Sequence, residues 1–413
     1  MDLGSKASIN RLKLSTFKLN TLLTITKAIN ANLSTEELLQ RYEEILREDL
    51  NIGKILIFKY DRTWDLILSS GCSDEIIKRI DVEKDLLESH TEISFITASP
   101  NPTLRVFDNI IPVFNNNIPI AFVLIGDIDE EKEGVSPTIK HLHFIQTLSN
   151  IIIVAIENIR LYKDSLEQEA FKKELELASK MQSMLIPDRS TLPNNDRILV
   201  STFYHPHYEV GGDYYDFIRL NENEVGFCIA DVSGKGISAA LLMSNFQANL
   251  RALFTTEDSL KEIVKKLNER VMASAKGEKF ITLFIAKFSY KTRILKYINA
   301  GHNPPIFYNI EKKKIKFLRD GCVGMGMLDE IPTLKSGRLK IEEKSKLFCY
   351  TDGLVELVDE DGVSFGTEQV EKVISNERDI DDNISTIIKQ QKILEGSTAI
   401  FDDISIIGIE FYN

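Results

Sequence analysis

The stretch Ala230-Asp231-Val232-Ser233-Gly234-Lys235-Gly236 decides how the second half of the chain folds. It comes after an apolar run over residues 224–231, which predicts a strand, and before residues 237–254, which predict a helix. An aspartate at a strand end can project its carboxylate from the sheet edge, and glycines beside it let a second group or an ion approach the backbone. The stretch therefore predicts an acidic site between a strand and a helix.

The same design, an aspartate at a strand end beside a glycine or another small turn residue, occurs three more times. The three stretches are Gly211-Gly212-Asp213, Thr351-Asp352-Gly353 and Phe401-Asp402-Asp403-Ile404. For one such aspartate alone, a turn or a helix N-cap is the commoner role. Four carboxylates kept together would repel each other unless a cation neutralised them, and aspartates without nearby His or Cys favour Mg²⁺ or Mn²⁺ over Zn²⁺. The sequence therefore predicts a two-metal centre, which suits phosphoester hydrolysis.

Predicted strands and helices alternate around these aspartates in an order that indicates a layered α/β sandwich. Strands are predicted at residues 198–204, 214–220, 224–231, 280–288, 294–299, 305–309, 315–318, 346–351 and 403–411. Helices are predicted at residues 237–254, 260–275, 367–375 and 382–394. We place this domain at residues 188–413, after a stop at Pro187.

Five motifs, in their order, resemble the bacterial SpoIIE/RsbU branch of the PPM-type metal-dependent serine/threonine phosphatases. They are EVGGDYYD (209–216), ADVSGKG (230–236), NAGHNPP (299–305), TDGLVE (351–356) and DDIS (402–405). The resemblance covers roughly residues 175–413. It includes the entering helix over residues 174–182, which is similar to the regulatory helix that precedes this domain in stress-response phosphatases. It implies a PPM-type αββα sandwich and a metal-activated water as the nucleophile.

The resemblance also implies roles for matching residues. Asp213 would bridge two Mn²⁺ or Mg²⁺ ions, and Asp231 with the backbone carbonyl of Val232 would complete one metal site. Asp352 and Asp402 would hold the other ion.

Accessory positions by the same resemblance are Asp403, Gly212 and Gly353. The family's eukaryotic members hold the phosphate with an arginine, which has no equivalent just before Asp213, where His205-Pro206-His207 stands. The residue that orients the phosphate is therefore left open. A catalytic role for His205 or His207 is less favoured than a packing role, and the motif around His302 is interpreted first as a turn.

The N-terminal region, residues 1–140, is predicted to be a small α+β sensor domain. Helices are predicted at residues 17–29 and 35–46, the second with a capping box from Ser34 to Glu37. Strands are predicted at residues 54–60, 65–69, 105–114 and 119–126. The order of elements resembles a GAF domain, although a PAS-like domain would give nearly the same string. An upstream signalling protein or a small ligand is its expected input.

A helical connector is predicted at residues 141–187. Apolar residues recur there at spacings of three and four, which is typical of a coiled-coil seam: Ile145, Leu148, Ile152, Ala155, Ile159, Tyr162 and Leu166. We interpret it as a dimerising connector. The alternative is a helix that packs on its own domains.

Composition limits the partners and the compartment. The 62 Asp and Glu outnumber the 50 Lys and Arg, giving a formal charge of −12, which disfavours nucleic acid and anionic lipid. Four separated cysteines and the lack of a signal-peptide core predict a cytoplasmic protein without membrane insertion. By resemblance, the substrate would be a phosphorylated STAS-type anti-sigma-factor antagonist. The alternatives are a non-catalytic phosphoprotein-binding scaffold and a small-molecule phosphoesterase.

Overall fold

The computed structural model describes residues 3–87, 92–96, 101–128, 137–207, 210–255, 258–358, 364–395 and 400–413. Glu209, at the start of one quoted motif, lies outside the described residues. The chain divides into two compact units, Met1–Glu169 and Ala170–Asn413, and each is described by itself.

Unit 1 contains an antiparallel sheet in the order β2-β1-β5-β4-β3. The strands are β1 (Ile52–Asp61), β2 (Thr63–Ser70), β3 (Ser94–Phe95), β4 (Asn109–Asn115) and β5 (Ile118–Ile128). The helices are α1 (Leu3–Asn30), α2 (Thr35–Glu44), the single turn α3 (Asp74–Ile77) and the first part of α4 (Pro137–Ser183). One sheet face packs against α1, α2 and α4, and a second apolar cluster covers the other face.

Local sequence signals in unit 1 are mostly confirmed. The capping box is present, with Ser34 Oγ accepting from the Glu37 amide at 3.2 Å and Glu37 Oε2 accepting from the Ser34 amide at 2.8 Å. The strand predicted from residue 105 begins only at Asn109, because Pro102 opens a 3₁₀ turn over Pro102–Val106.

The long helix α4 is longer than the prediction at its N-terminus and ends at Ser183, before Pro187. The first residues of the predicted seam, Ile145, Leu148, Ile152 and Ala155, are buried in the core of unit 1. This part of the helix therefore packs on its own domain, as the alternative interpretation had it. Ile159, Tyr162 and Leu166 further along are exposed within unit 1.

By length and composition alone, α4 could also cross a membrane, and it is the one such helix in the described part of the chain. More than half of its apolar window is buried inside the protein, as is common for a core helix.

Unit 2 is a sandwich of two sheets between two layers of helices, which confirms the predicted layered architecture. One sheet has the order β13-β10-β9-β8-β7 with β14 beside β10, and the other has the order β12-β11-β15-β16-β6. The strands are β6 (Ile198–His205), β7 (Tyr214–Arg219), β8 (Glu224–Val232), β9 (Ile281–Ser289), β10 (Ile294–Ala300), β11 (Ile306–Asn309), β12 (Lys314–Phe317), β13 (Gly321–Cys322), β14 (Gly337–Lys340), β15 (Ser345–Tyr350) and β16 (Ile404–Phe411).

Two helix pairs enclose these sheets. Helices α5 (Ile237–Leu253) and α6 (Leu260–Ala275) cover the first sheet, and α8 (Gly366–Ile374) and α9 (Ile380–Gln390) cover the second. The short helix α7 (Asp352–Val355) follows β15 directly. A third apolar cluster fills the space between the sheets, so the interior is formed by the inner faces of both.

Candidate metal centre

The pairing of strands brings the predicted aspartates to one end of the sandwich. Asp213 lies immediately before β7 and Asp231 near the end of β8, and the antiparallel register pairs Tyr214 with Ala230. In the other sheet, Asp352 follows β15 while Asp402 precedes β16, again in antiparallel neighbours. The start of one strand thus lies beside the end of its partner in both sheets, which explains how residues distant in sequence meet.

Asp403 ties the two sheets together through backbone hydrogen bonds. Its Oδ2 accepts from the amides of Gly212 at 2.6 Å and Asp213 at 3.3 Å, and its Oδ1 accepts from the amide of His207 at 2.8 Å. A Cβ on Gly211 would lie 2.3 Å from Asp403 Oδ2, so this close approach requires glycine there. Asp403 therefore holds the loop that carries Asp213.

Glycine is also required at the two predicted accessory positions that it occupies, Gly212 and Gly353. A Cβ on Gly353 would lie 2.2 Å from the carbonyl oxygen of Asp403, and one on Gly212 would lie 2.9 Å from that of Val232. The carbonyl of Val232, predicted as a metal ligand, thus faces the backbone beside Asp213.

Thr351 fixes the orientation of Asp213. Its hydroxyl donates to Asp213 Oδ2 at 2.8 Å and accepts from the amide of Ser405 at 2.9 Å. Thr351 is fully buried. The sequence prediction gave no role to this residue, although it stands directly before Asp352.

The carboxyl groups of Asp213 and Asp231 are close enough for the charge of one to affect the other. Burial, and then the charges of Asp231 and Asp403, raise the pKa of Asp213 well above its usual range. Burial, followed by the charges of Asp352, Asp402 and Asp403, raises the pKa of Asp231 to about 7. Ionised carboxylates in this position are unstable without a compensating cation.

Asp352 and Asp402, the second pair of predicted ligands, are half-buried and more exposed to solvent than Asp213. Burial, and then the charges of Glu356 and Asp402, raise the pKa of Asp352. Asp402 is paired with the ammonium of Lys235, whose Nζ lies 3.1 Å from Asp402 Oδ2. Asp402 Oδ1 accepts from the amide of Asp403 at 2.9 Å.

Over the described ranges, no three His, Cys, Asp or Glu side chains are gathered closely enough to hold an ion. Asp213 is instead bonded to Thr351, and Asp402 to Lys235. The donors are nevertheless all hard oxygens with unfavourable mutual repulsion, which fits Mg²⁺ or Mn²⁺. The residues that would hold such ions are Asp213, Asp231, the carbonyl of Val232, Asp352 and Asp402.

Gln182, near the end of α4, clamps the loop that carries Asp213. Its Nε2 donates to the carbonyl of Gly211 at 2.7 Å, and its Oε1 accepts from the Gly211 amide at 3.1 Å. The amide side chain is buried. The sequence prediction placed Gln182 in the entering helix without giving it a contact, because only the folded chain brings residues 182 and 211 together.

The nearby histidines have structural contacts. His302 is buried, its Nδ1 lies 2.8 Å from Thr282 Oγ1, and burial lowers its pKa to about 4. Its amide donates to Asn299 Oδ1 at 2.8 Å, as expected for a turn. His205 stacks on Phe203 with ring centroids 6.3 Å apart.

Asp216, which the sequence left without a role, forms a separate ion pair. It is fully buried and accepts from Arg251 at 2.7 and 3.1 Å and from the Tyr214 hydroxyl at 2.5 Å. Asp216 is therefore neutralised by Arg251 and is not needed as a metal ligand.

Comparisons with known proteins agree with this architecture. Residues 221–412 match the family model described as Stage II sporulation protein E (SpoIIE). The match begins after Asp213 and includes Asp231, Asp352 and Asp402. The chain is similar to phosphoserine phosphatase RsbU of Bacillus subtilis, with 28 % identity over 195 residues, 47 % of this chain and 57 % of the relative.

A longer alignment is found with protein IcfG of Synechocystis sp., with 26 % identity over 383 residues, 84 % of this chain and 58 % of the relative. This chain thus spans little more than half the length of either relative. Among solved structures, the SiaA-PP2C domain of Pseudomonas aeruginosa matches with a TM-score of 0.51 and 18 % identity, over 59 % of this chain and 98 % of that domain. The resemblance of the N-terminal region to a GAF domain stays a prediction. The C-terminal unit of this chain is similar, over residues 221–412, to the SpoIIE/RsbU-like branch of the PPM-type phosphatases.

Proposed function

We propose that the C-terminal unit is a metal-dependent protein phosphatase that hydrolyses phosphoserine or phosphothreonine on a partner protein. The observation that carries the proposal is that four strand-end aspartates, two from each sheet, lie at one end of the sandwich, where the charges of Asp352 and Asp402 help to raise the pKa of Asp231. Carboxylates buried close together lower the stability of the folded protein unless cations compensate their charge, so metal binding best explains this arrangement. The similarity to a phosphoserine phosphatase supports the same reaction.

Two Mg²⁺ or Mn²⁺ ions, when bound, would activate a water for attack at phosphorus. The chain's own part is to hold and orient the ligands. Thr351 fixes the carboxylate of Asp213, and Asp403 holds the loop before it. The carbonyl of Val232 faces Gly212, the residue directly before Asp213. No Ser, Cys or His nucleophile is required by this arrangement.

Control of the site would pass through α4. Gln182 bonds both backbone polar groups of Gly211, two residues before Asp213. A rotation or shift of this helix would therefore move the loop that carries Asp213. We propose that the N-terminal unit, GAF-like and responsive to a small ligand or a signalling protein, acts on the site in this way.

The partners follow from the resemblance and from one surface. The proposed substrate is a phosphorylated STAS-type anti-sigma-factor antagonist or a similar phosphoprotein, in the cytoplasm. The exposed residues Ile159, Tyr162 and Leu166 on α4 support a homodimer through a short coiled coil.

The experiment is hydrolysis of a generic phosphoester and of a phosphoserine peptide with Mn²⁺, with Mg²⁺ and with EDTA. Asp231→Asn and Asp352→Asn should each abolish metal-dependent turnover. Asp382→Asn, an exposed position on α9, is the matched control and should retain it.

Three other outcomes would change the assignment. No turnover by the wild-type chain, combined with phosphopeptide binding, would favour a non-catalytic scaffold. Hydrolysis of small phosphoesters but not of phosphoproteins would favour a small-molecule phosphoesterase. Turnover that survives in both aspartate variants would refute the proposed metal centre.

A further inference from the structure

Lys235 is the cationic side chain that the structure places against a predicted metal ligand. Its Nζ lies 3.1 Å from Asp402 Oδ2, and it also donates a hydrogen bond to the carbonyl of Phe401. Both side chains are partly open to solvent, at 40 % for Lys235 and 36 % for Asp402. The pair therefore lies at the solvent side of the acidic centre, where a substrate would enter.

The backbone around Lys235 holds it at this place. Gly234 and Gly236 on either side have φ of +80° and +76°, a conformation that other residues rarely adopt. The amide of Ser233 donates to the carbonyl of Phe280 at 2.9 Å, and the carbonyl of Ser233 accepts from Lys279 Nζ at 2.8 Å. The loop is thus anchored beside the start of β9, and the long flexible stem of Lys235 gives its ammonium room to move.

Other cations near this end of unit 2 have partners elsewhere. Lys279 bonds the carbonyl of Ser233, Arg251 pairs with the buried Asp216, and Arg189 pairs with Asp381 at 2.9 Å. Lys235, in contrast, pairs with a group that would itself be needed to hold a metal. A cation bound at Asp402 would repel the ammonium of Lys235, and a phosphoryl group at the solvent side of the acidic centre would attract it.

We propose that Lys235 is the phosphate-binding residue of this site, paired with Asp402 in the metal-free protein and with a phosphoryl oxygen of the substrate when Asp402 holds a cation. This inference rests on the proposed phosphatase function. Lys235 would take the role of the phosphate-binding arginine, which has no equivalent just before Asp213. A lysine suits it because its ammonium is a point charge on a flexible stem.

The test compares Lys235→Gln and Lys235→Arg with wild type, using Lys265→Gln as a control that removes an equal charge at an exposed position of α6. The first readout is Mn²⁺ binding by calorimetry without substrate. Lys235→Gln should bind Mn²⁺ about threefold more tightly, since an exposed ion pair no longer has to be broken. Lys265→Gln should change the Mn²⁺ Kd by less than about twofold, because its side chain is exposed on α6 and outside the acidic centre.

The second readout is inhibition of turnover by inorganic phosphate, together with KM for a phosphoserine peptide. Lys235→Gln should weaken phosphate inhibition by about tenfold or more, the value of one charge-assisted hydrogen bond. It should raise KM in parallel, and Lys235→Arg should restore both because it keeps the charge. Circular dichroism checks that each variant is folded.

Unchanged phosphate inhibition in Lys235→Gln, with metal-dependent turnover present, would overturn this inference and leave the phosphatase proposal intact. Equal shifts of both readouts in Lys265→Gln would also overturn it, because a general charge effect would then explain them. Absence of turnover in the wild type would instead refute the proposed function, and this inference with it.

Discussion

Replacing Asp231 by asparagine should make the metal-free protein more stable at pH 8, although it should abolish metal binding. The folded carboxyl keeps its proton up to about pH 7, whereas in the unfolded chain it loses the proton near its ordinary pKa of 3.8. The unfolding free energy of the wild type therefore falls as the pH rises from about 4 to 7, and it stays lower above pH 7. The asparagine side chain of the variant carries no charge and avoids this loss.

The size of the effect follows from the pKa of Asp231. A rise from 3.8 to about 7 corresponds to an upper limit of about 4 kcal/mol, at about 1.4 kcal/mol per pH unit. Asp231 is not completely buried, so water screens part of the repulsion. We expect Asp231→Asn to gain about 2 kcal/mol at pH 8 and nothing at pH 4.

The assay is urea unfolding in EDTA at pH 4, 6 and 8, repeated with Mn²⁺ at pH 8. Asp216→Asn is the matched control, because Asp216 is also a buried carboxylate but is paired with Arg251. That variant should lose stability at pH 8. Mn²⁺ should stabilise the wild type and leave Asp231→Asn unchanged.

Two results would refute the reasoning. A loss of stability in metal-free Asp231→Asn at pH 8 would show that the carboxylate is compensated by groups of the protein itself. A gain of the same size at pH 4 and pH 8 would show that the effect does not come from ionisation.

Three further predictions concern the supports of the site and of the connector helix. Gln182→Met should lower the unfolding free energy by about 2 kcal/mol, because two buried backbone groups of Gly211 lose their partner, and titration should show weaker Mn²⁺ binding. Gly353→Ala should cost about 2 kcal/mol in urea unfolding and reduce turnover, since its Cβ would meet the carbonyl of Asp403. In unit 1, Glu157→Gln removes the charge that pairs with the buried Lys59, 2.6 Å away, and should lower the melting temperature of the full chain. The control Glu176→Gln, at an exposed position, should leave the melting temperature unchanged.

Local sequence signals predicted a helix or strand correctly where one short segment contains all the residues that determine it. Helix α6 occupies the predicted residues because Ser259 and Glu262 form a capping box at its start. Strands β13 and β14 were not predicted, since they are short and contain glycine and charged residues. They are strands only because β10 offers them a free edge.

The sequence predicts the residue types of the candidate site but not its contacts. The repeated aspartates at strand ends indicated a shared acidic centre, and the register of the strands brings them to one end of the sandwich. The pairs Gln182–Gly211 and Lys235–Asp402 depend on tertiary packing over many residues, so no local pattern indicates them. In the connector helix, the local pattern was visible but did not identify the packing partner. A seam of apolar residues has the same spacing whether it packs against a second helix or against the sheet of its own domain.

The position of β16 between β15 and β6 has a consequence for the timing of assembly. Strand β6 opens the domain, yet its neighbour is synthesised roughly two hundred residues later, so the second sheet cannot close while the ribosome is still making the intervening chain. Asp403, just before β16, is also the group that holds Gly212 in place. Such distant pairings slow folding. A nascent chain therefore cannot form the acidic centre early, and the proposed metal site is completed only when the whole domain has been made.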